Sequence, residues 1–545
     1  MKKKRHSLRA LGIAAIVGLM STGLSANSNK STSDFVRVEN GRFVHNSEDF
    51  FFVGSNFYRL SLSDRFYGQD KRVVSAGKAS YPFVDDVFSG YKQKGIKVVR
   101  IWGFSCEGAG HGANPPLLTF QGARQLPVKL NEPAFEKLDY VIDSAGRHGI
   151  KLIMPLVNFE PEYCGMGWWV KQITGSNNQH DFYTDEKVWD AYTSYVRSVL
   201  ERKNQFTGKA YREDPTIMAI EVANEPHTKD YYECKVTGLS ESACMQRNMK
   251  DFGAGTLVYN WLTRISAFVK EVSPNHLVST GEEGYLASLD SLAPECRGKH
   301  RWIHNGSKGV DFIRNASIAN IDFLTVHLYP DNWNIPPSDL PWFKQCVIEH
   351  RANIARLNQK PIVLEETGFN SNPDGYGQKI YKDDRAYYLS YMLQATTRAG
   401  FAGTMVWQAA PLLSDGRAAE FDDFTFPVYE PFQTARIPTP EGHAILNQVS
   451  CMTDYASQEL FDSCIGICPK GTTVNENRFG IDAEGNTCYL PRPSSSSNRP
   501  YPVCGADSII SDDKWGWSSN ADDCLAHPVS SSQYQELGGC SCTVN

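Results

Sequence analysis

The stretch KVVRIWGF, residues 97–104, decides the fold of this chain. Its apolar residues are continuous rather than alternating, which is typical of a strand buried on both faces, as in a parallel sheet. A helix-like segment, Pro133–His148, follows it, and a second apolar run, Lys151–Asn158, comes after that helix. This order predicts a βαβ unit, in which a helix joins two parallel strands.

The same unit repeats along residues 35–450. The predicted strands are Phe50–Phe57, Lys97–Phe104, Lys151–Asn158, Thr216–Glu225, Leu277–Glu283, Ile321–Tyr329, Pro361–Gly368 and Gly403–Ala409. The predicted helices are Phe83–Lys94, Pro133–His148, Glu186–Lys203, Gly253–Val272, Trp342–Asn358, Asp383–Ala399 and Pro440–Val449. A long loop region follows the fifth strand, Leu277–Glu283. Eight strands in this alternating β-then-α order predict an α/β fold, the (β/α)8 TIM barrel. A doubly wound open sheet is the alternative, and the absence of a glycine-rich phosphate turn after the first strand disfavours it.

A hairpin is predicted just before the first barrel strand. The segment FVRVENGRFVHN places Asn40-Gly41 between alternating residues, which is a strong turn signal. We expect this hairpin to close the bottom of the barrel.

Composition excludes one class of partner. The chain has 545 residues and a net charge of −6 with both signs interspersed, so it lacks the basic face that nucleic acid requires. Aromatic residues make up 12%, with 11 Trp and 25 Tyr, which suits surfaces that stack on sugar rings as well as a large core.

The first residues predict export. A basic start, Lys2 to Arg5, precedes the apolar run Leu11–Leu19 and the small residues that end at Ala26. This pattern predicts a signal peptide over residues 1–26, and hence a secreted, extracellular protein with no membrane association in its mature form.

The cysteines are even in number, 14 in all, and in an exported protein they predict disulfides. Within the barrel we expect the pairs Cys106–Cys164, Cys234–Cys244 and Cys296–Cys346.

Residues after 450 change in character. Residues 451–490 and 501–545 hold four cysteines each, and the Ser/Pro run at 491–500 predicts a linker between them. We interpret the two segments as small disulfide-rich modules, with a single eight-cysteine module as the alternative. Zinc ligation by Cys464/Cys468 or Cys540/Cys542 fits the spacing, but export favours disulfides.

Polar and aromatic residues gather at the predicted C-terminal strand ends, which form the working face of such a barrel. These residues are Arg100, Asn158, Asn224, Glu225, Glu282, Glu283, His327, Tyr329, Glu366 and Trp407. Any single member could be structural, since a strand-end arginine is usually an ion-pair partner and a buried histidine is usually a core residue. Their joint placement favours a site.

Two glutamates carry the predicted chemistry. Glu225, followed by Pro226, suits a general acid whose pKa burial and a neighbouring carboxylate raise. Glu366 suits a nucleophile that Arg100 keeps ionised. Glu365 competes with Glu366 for that role. Because side chains alternate across a strand, only one of the two is expected to enter the site, and spacing does not say which.

Five ordered motifs, VVRIWGF, AIEVANEP, TVHLYP, PIVLEETGF and GTMVWQ, resemble family 5 glycoside hydrolases, and more narrowly the secreted endo-β-1,4-mannanases of that family. The resemblance covers residues 35–450. It implies that Glu225 is the acid/base and that Glu366, two residues before Gly368, is the nucleophile. It further implies substrate binding by Arg100, Asn224, His327, Tyr329, Trp407, Trp102 and Asn158.

Some positions depart from the family pattern. Thr367 stands where an aromatic residue is usual, and Ile220 where tryptophan is frequent. The Asn-Asn-Trp run that often follows the third strand is absent, although Asn158 is kept. Trp168 and Trp169 downstream are either sugar platforms or packing residues beneath a loop.

These motifs imply an endo-β-1,4-mannanase that hydrolyses mannan, glucomannan and galactomannan with retention of configuration. Retention predicts carboxyl groups roughly 5–5.5 Å apart. The alternatives are an endo-β-1,4-glucanase of the same family, an exo-acting mannosidase, or a non-catalytic carbohydrate-binding protein.

The chemistry needs no metal or organic cofactor, and we expect a monomer. The tail motif YPVC…DKWGWSSNADDCL partly resembles family 10 carbohydrate-binding modules, which implies cellulose binding.

Overall fold

The chain was analysed as a computed structural model. It describes residues 34–60, 81–106, 116–228, 255–372, 378–414, 416, 418–419, 422–433, 436–457, 466–467, 472, 479–481, 487–489, 509–510, 515–517 and 523–525. The predicted signal peptide, the linker and the predicted pair Cys234–Cys244 lie outside these residues.

A small antiparallel sheet precedes the barrel, as the Asn40-Gly41 signal predicted. Its strands are β1 (Arg37–Glu39), β2 (Arg42–His45) and β3 (Glu48–Asp49). Asn40 and Gly41 both have positive φ, 52° and 76°, as a two-residue hairpin turn requires. Phe43 packs against Phe52 and Phe323, which lie at the beginnings of two barrel strands. The hairpin therefore closes the bottom of the barrel.

Eight parallel strands form the predicted barrel. They are β4 (Phe52–Asn56), β5 (Val98–Arg100), β6 (Lys151–Pro155), β7 (Ile217–Glu221), β8 (Leu277–Ser279), β9 (Leu324–His327), β10 (Ile362–Glu366) and β11 (Gly403–Val406). Neighbours pair in the order β8-β7-β6-β5-β4-β11-β10-β9. At the remaining seam, Asp322 N–H donates to the Val278 carbonyl at 2.9 Å, and Val278 N–H donates to the Asp322 carboxylate at 2.7 Å. These bonds link β8 to the start of β9, so the barrel is nearly closed.

Helices cover the outside of the barrel. The α-helices are Tyr81–Gln93, Phe120–Ala123, Glu132–His148, Met166–Thr174, Glu186–Glu201, Thr256–Val272, Phe312–Ala316, Leu340–Phe343, His350–Leu357, Lys379–Asp383, Arg385–Arg398 and Pro440–Ser457. A π-helical segment, Lys344–Glu349, joins two of them into the single helix that the sequence predicted there. Short 3-10 turns are Gln179–Tyr183, Tyr211–Glu213, Pro294–Cys296, Arg301–Ile303 and Pro337–Asp339.

The last helix runs to Ser457, past residue 450 where we drew the end of the catalytic domain. A short strand, Gly466–Ile467, packs beside this helix and beside Arg385–Arg398. It pairs with Thr487–Tyr489, which pairs in turn with Phe479–Ile481. Part of the first cysteine-rich segment therefore packs against the barrel.

A second small sheet lies further along, in the order Ile509–Ile510, Trp515–Trp517 and Asp523–Leu525.

Two predicted disulfides are present, Cys106–Cys164 and Cys296–Cys346, with Cα–Cα distances of 5.7 and 5.4 Å. The first joins the loop after β5 to the loop after β6, at the C-terminal rim of the barrel. Among the described helices, none has the length and apolar character to cross a membrane.

Candidate active site

The C-terminal strand ends surround a cavity of about 410 Å³. Seven of the nine predicted site residues line it: Trp102, Asn158, Asn224, Glu225, Tyr329, Glu366 and Trp407. The other two, Arg100 and His327, have no exposed surface and lie beneath the cavity, where they contact the two glutamates. The strand ends thus bring all nine residues together.

Glu225 follows β7 with a backbone φ of +50°, in the left-handed region that few non-glycine residues adopt. Its N–H donates to the Gly281 carbonyl at 2.7 Å, which holds this conformation. Its side chain is 21% exposed and faces the cavity, and Nδ1 of His327 lies 2.8 Å from its Oε1. Such strained residues persist where the surrounding structure fixes them, and they cluster at functional sites.

Glu366 ends β10 opposite Glu225. Arg100 Nη1 donates to its Oε1 at 2.5 Å, and the Tyr329 hydroxyl donates to its Oε2 at 2.9 Å. A carboxylate oxygen of Glu366, one of Glu225 and a ring nitrogen of His327 all lie within 4.8 Å of one another. The two carboxyl groups therefore face each other across a gap that one sugar carbon and its substituents can bridge.

Glu365 does not follow simple strand alternation. The pairing of β10 with β9 shifts between Leu364 and Glu366, which is a β-bulge at Glu365. Glu366 lines the cavity and Glu365 does not, so one of the two glutamates enters the site, as strand alternation predicts. The bulge turns Glu365 beneath the same cluster, where its Oε2 lies 3.1 Å from Nε2 of His327. Both glutamates therefore belong to one network.

Arg100 organises this network through residues that sequence reasoning missed. Its guanidinium donates to both carboxylate oxygens of Glu221, at 3.0 and 2.6 Å, and to the Asn56 side chain at 3.1 Å. It also donates to Asn224 at 2.5 Å. A signal for Glu221 was present, since a glutamate inside the apolar strand run IMAIE must find a buried partner. Asn56, at the end of β4, carried no comparable signal.

Gly281 makes room for Glu221. It has a φ of +68°, and a Cβ there would lie 2.3 Å from Glu221 Oε1 and 1.9 Å from the Ala223 carbonyl oxygen. Only glycine fits between these groups, so the β8 end is shaped around the buried carboxyl group.

Aromatic rings form one wall of the cavity. Trp407 stacks on Tyr58 with ring centroids 4.9 Å apart, and Trp102 contacts Tyr58 at 4.9 Å and Tyr163 at 5.1 Å. Tyr163 precedes Cys164, so the Cys106–Cys164 disulfide fixes the loop that carries it.

Of the two candidate platforms outside this wall, Trp169 is a core residue, 2% exposed, that packs against Tyr192 and Tyr195. Trp168 is half-buried and contacts Phe120.

The pKa directions in the resting site are the reverse of those we predicted. Burial raises the pKa of Glu225, but the hydrogen bond and charge of His327 outweigh it and lower that pKa below its ordinary value. Burial raises the pKa of Glu366. The charges of His327 and Arg100 lower it by less, so the pKa lies above its ordinary value. His327 forms a hydrogen bond with Glu225, at 2.8 Å, whereas it lies 3.5 Å from Glu366 and acts on that group through its charge alone.

The positive charge of His327 acts on both glutamates. Burial opposes its ionisation, but Glu366 and the hydrogen bonds to Glu225 and Glu365 raise its pKa well above the ordinary value. Its two ring nitrogens face the carboxylates of Glu225 and Glu365, a placement that favours the charged form.

A further carboxyl group, Glu283, lines the cavity. Burial and the charge of Glu225 raise its pKa to about 8. It accepts from the Tyr285 hydroxyl at 2.6 Å, and Nδ1 of His227 lies 3.6 Å away. The raised pKa favours the protonated form of Glu283. Glu283 was among the polar residues predicted at the strand ends, as the last residue of the fifth strand run.

Glu225, His327 and Glu366 have donor atoms close enough together to be tested as a metal site. The guanidinium of Arg100 binds Glu366 directly, and Nδ1 of His327 is engaged with Glu225 at 2.8 Å. The donor atoms of this cluster are therefore bound by Arg100 and by one another, an arrangement that does not fit a metal centre.

Comparisons with known proteins agree with this architecture. A family model described as GH family 5 beta-mannosidase-like matches residues 33–424. Mannan endo-1,4-beta-mannosidase 1 of Oryza sativa subsp. japonica is 31% identical over 74% of this chain and 85% of its own length. Mannan endo-1,4-beta-mannosidase F of Aspergillus clavatus is 30% identical over 68% of this chain and 76% of its own.

Solved structures are similar as well. The endo-beta-1,4-mannanase of Thermotoga petrophila is 28% identical with a TM-score of 0.57, over 76% of this chain and 79% of that one. The endo-1,4-beta-mannanase of Rhizomucor miehei is 26% identical with a TM-score of 0.59, over 77% of this chain and 99% of that one.

A facing pair of carboxyl groups on the C-terminal rim of a (β/α)8 barrel, with an aromatic wall beside it, defines a glycoside hydrolase. With the family model matching most of its length, the chain belongs to glycoside hydrolase family 5, in the β-mannosidase-like group.

Proposed function

We propose that this protein is an exported endo-β-1,4-mannanase that cleaves internal bonds of mannan, glucomannan and galactomannan with retention of configuration. The observation that carries the proposal is the approach of Glu225 and Glu366 oxygens to within 4.8 Å. Retaining glycosidases keep their carboxyl groups about 5–5.5 Å apart, whereas inverting enzymes leave about 6.5–9.5 Å for a water molecule. The relatives named above support the choice of mannan.

The proposed reaction has two steps. Glu366 attacks the anomeric carbon while Glu225 protonates the departing glycosidic oxygen, which gives a glycosyl ester on Glu366. Water then attacks the same carbon, Glu225 removes its proton, and the Glu366 carboxylate leaves. Arg100 and Tyr329 donate to Glu366 and stabilise the carboxylate before attack and after release.

The reaction requires Glu225 to hold the proton and Glu366 to be ionised when substrate is bound. The glycosidic oxygen is an acceptor, so it binds Glu225 only when that group holds the proton. Positive charge that develops at the anomeric carbon favours the ionised form of Glu366. Both interactions strengthen toward the transition state, which is where binding energy accelerates a reaction.

The experiment is an assay of reducing-sugar release from mannan and from carboxymethylcellulose. We expect activity on mannan, and a loss of at least about 10⁴-fold in Glu366→Ala, since the nucleophile forms the covalent intermediate. Activity on carboxymethylcellulose alone would replace mannan by glucan as the substrate. Full activity in Glu366→Ala would contradict the nucleophile.

A control variant separates chemistry from folding. Glu349→Ala removes a surface glutamate whose only described partner is Lys344, at 3.0 Å, and it should leave activity within about 2-fold of the wild type. The configuration of the first product, followed by NMR, tests retention directly.

The tail extends the proposal. We infer that residues 501–545 bind cellulose and hold the catalytic domain near mannan associated with it. Pull-down of the full chain on crystalline cellulose tests this, and an unbound chain would contradict it.

A further inference from the structure

Glu365 is buried, does not line the cavity, and has no part in the mechanism described so far. It is held at a β-bulge, and the Asn56 side chain donates to its backbone carbonyl at 2.9 Å. Four ionisable groups surround its carboxyl group: Glu221 on β7, Arg100 on β5, His327 on β9 and its neighbour Glu366. A carboxyl group kept at such a place needs a physical reason, because burying a charge is costly unless it is paired.

Ion pairing with Arg100 does not supply that reason. Arg100 already binds both oxygens of Glu221 and one of Glu366, and its nearest approach to Glu365 is 3.7 Å. The Glu365 oxygen lies closer to Nε2 of His327, at 3.1 Å. The geometry therefore directs Glu365 toward the histidine.

His327 connects Glu365 to the acid/base. Its Nε2 faces Glu365 at 3.1 Å, and its Nδ1 faces Glu225 at 2.8 Å. A hydrogen on Nε2, held by Glu365, fixes the ring and leaves Nδ1 pointing at Glu225. Nδ1 then donates to Glu225 when that group is ionised. A buried carboxylate that orients a histidine in this way is known from hydrolytic triads.

We propose that Glu365 is a positioning residue for the acid/base: it accepts Nε2–H of His327 and so presents Nδ1 to Glu225 in both steps of the reaction. This inference rests on the proposed roles of Glu225 and Glu366.

The pKa directions agree with the geometry. Burial works to raise the pKa of Glu365, but Arg100 and His327 lower it below its ordinary value. Burial raises the pKa of Glu221 well above its ordinary value. The charge of Arg100 opposes this rise, and the charge of Glu365 adds to it. The lowered pKa of Glu365 fits a carboxylate that accepts from His327, as the 3.1 Å contact indicates.

The test compares two substrates that differ in their need for an acid. Mannotetraose has an unactivated leaving group that Glu225 must protonate, whereas a dinitrophenyl mannobioside releases a stable anion without a proton. The measured quantity is kcat/KM, which reports the glycosylation step for both. Glu365→Met removes the acceptor at similar volume, and Glu365→Gln keeps an acceptor oxygen but removes the charge.

For Glu365→Met we expect kcat/KM on mannotetraose to fall about 10- to 100-fold, part of the roughly 10²- to 10⁴-fold that general acid catalysis supplies. On the dinitrophenyl substrate the loss should stay within about 3-fold, since no acid is needed there. Glu365→Gln should recover much of the loss at low pH. This recovery should disappear as the pH rises, because without its counter-charge the imidazole of His327 loses its second proton more readily. Equal losses on both substrates would overturn the inference.

Glu282→Gln is the matched control. Glu282 is also a fully buried glutamate near a strand end, but it accepts from Thr280 at 3.0 Å and Asn315 at 3.1 Å and does not line the cavity. Its replacement should change kcat/KM on the two substrates by the same factor.

Glu225→Ala separates the two levels of the proposal. If it retains full activity on mannotetraose, the proposed function fails. If it loses activity while Glu365→Met behaves like Glu282→Gln, only the present inference fails.

A measurement on the wild type covers the case in which the variants do not fold. A neutron structure at neutral pH should show deuterium on Nε2 of His327, directed at Glu365. A bare Nε2, with the deuterium on Glu365 instead, would overturn the inference.

Discussion

At the scale of single residues, Arg100 is the group on which the site depends most. It is fully buried and donates to Glu221, Asn224, Glu366 and Asn56. A lysine keeps the charge but lacks the planar fork that serves several acceptors at once. We therefore expect Arg100→Lys to lower kcat on mannan by at least about 100-fold and stability by about 2–4 kcal/mol. Steady-state kinetics and thermal unfolding measure the two effects.

Arg202→Lys is the control for this change. Arg202 also binds a buried carboxylate through two nitrogens, Asp139 at 2.9 and 2.8 Å, but far from the cavity along the outer helices. It should lose stability without loss of kcat. A normal kcat in Arg100→Lys would show that Glu366 does not need the planar guanidinium group of Arg100.

The residues that sequence reasoning identified are those that stand at strand ends with polar side chains, such as Glu225, His327 and Tyr329. Those it missed act through contacts across the barrel. Glu221 becomes significant only because Arg100 lies opposite it, at 2.6 Å, on a strand 121 residues away. A single sequence carries no direct record of such a pairing, although a glutamate in an apolar run hints that one exists.

At the scale of elements, strand β10 contains a β-bulge that side-chain periodicity does not predict. Alternation predicts that Glu365 and Glu366 face opposite ways, and spacing alone could not choose between them. The bulge adds one residue to the strand and brings both carboxyl groups to one cluster. Bulges depend on the register of the neighbouring strand, so the sequence of β10 by itself does not reveal them.

The two described disulfides, Cys106–Cys164 and Cys296–Cys346, allow an element-scale prediction. They span 58 and 50 residues, so chain entropy predicts a similar loss of about 4 kcal/mol when either pair is changed to serine. Only Cys164 adjoins a cavity residue, Tyr163, whose ring packs on Trp102. Cys106→Ser with Cys164→Ser should therefore also raise KM for mannan, about 2- to 10-fold.

Cys296→Ser with Cys346→Ser serves as the comparison and should leave KM unchanged. Unfolding by urea and initial-rate kinetics give both quantities. Equal KM values in the two double variants would mean that the Cys106–Cys164 loop does not shape the cavity.

At the scale of the whole molecule, the barrel and its hairpin were predictable because both follow from local signals repeated along the chain. Eight apolar runs fixed the strand count, and Asn40-Gly41 fixed the turn at the base. The end of the catalytic domain is harder to predict from composition. Composition changes at residue 451, but the helix Pro440–Ser457 continues through that point.

The continuity of that helix leads to a prediction about truncation. A chain that ends at Leu490 keeps the helix and the strands Gly466–Ile467 and Thr487–Tyr489, which pair with each other. No residue of the site lies beyond Phe424 among those that line the cavity. We therefore expect kcat/KM on soluble mannan and the melting temperature to match those of the full chain, while retention on crystalline cellulose is lost.

A chain that ends at Ser450 cuts the helix and exposes apolar surface beneath it, so it should melt at a lower temperature. Assays of the three chains side by side decide the matter: a drop in soluble-mannan activity at Leu490 would show that the tail contributes to the site, and unchanged cellulose retention would show that it is not the cellulose-binding part.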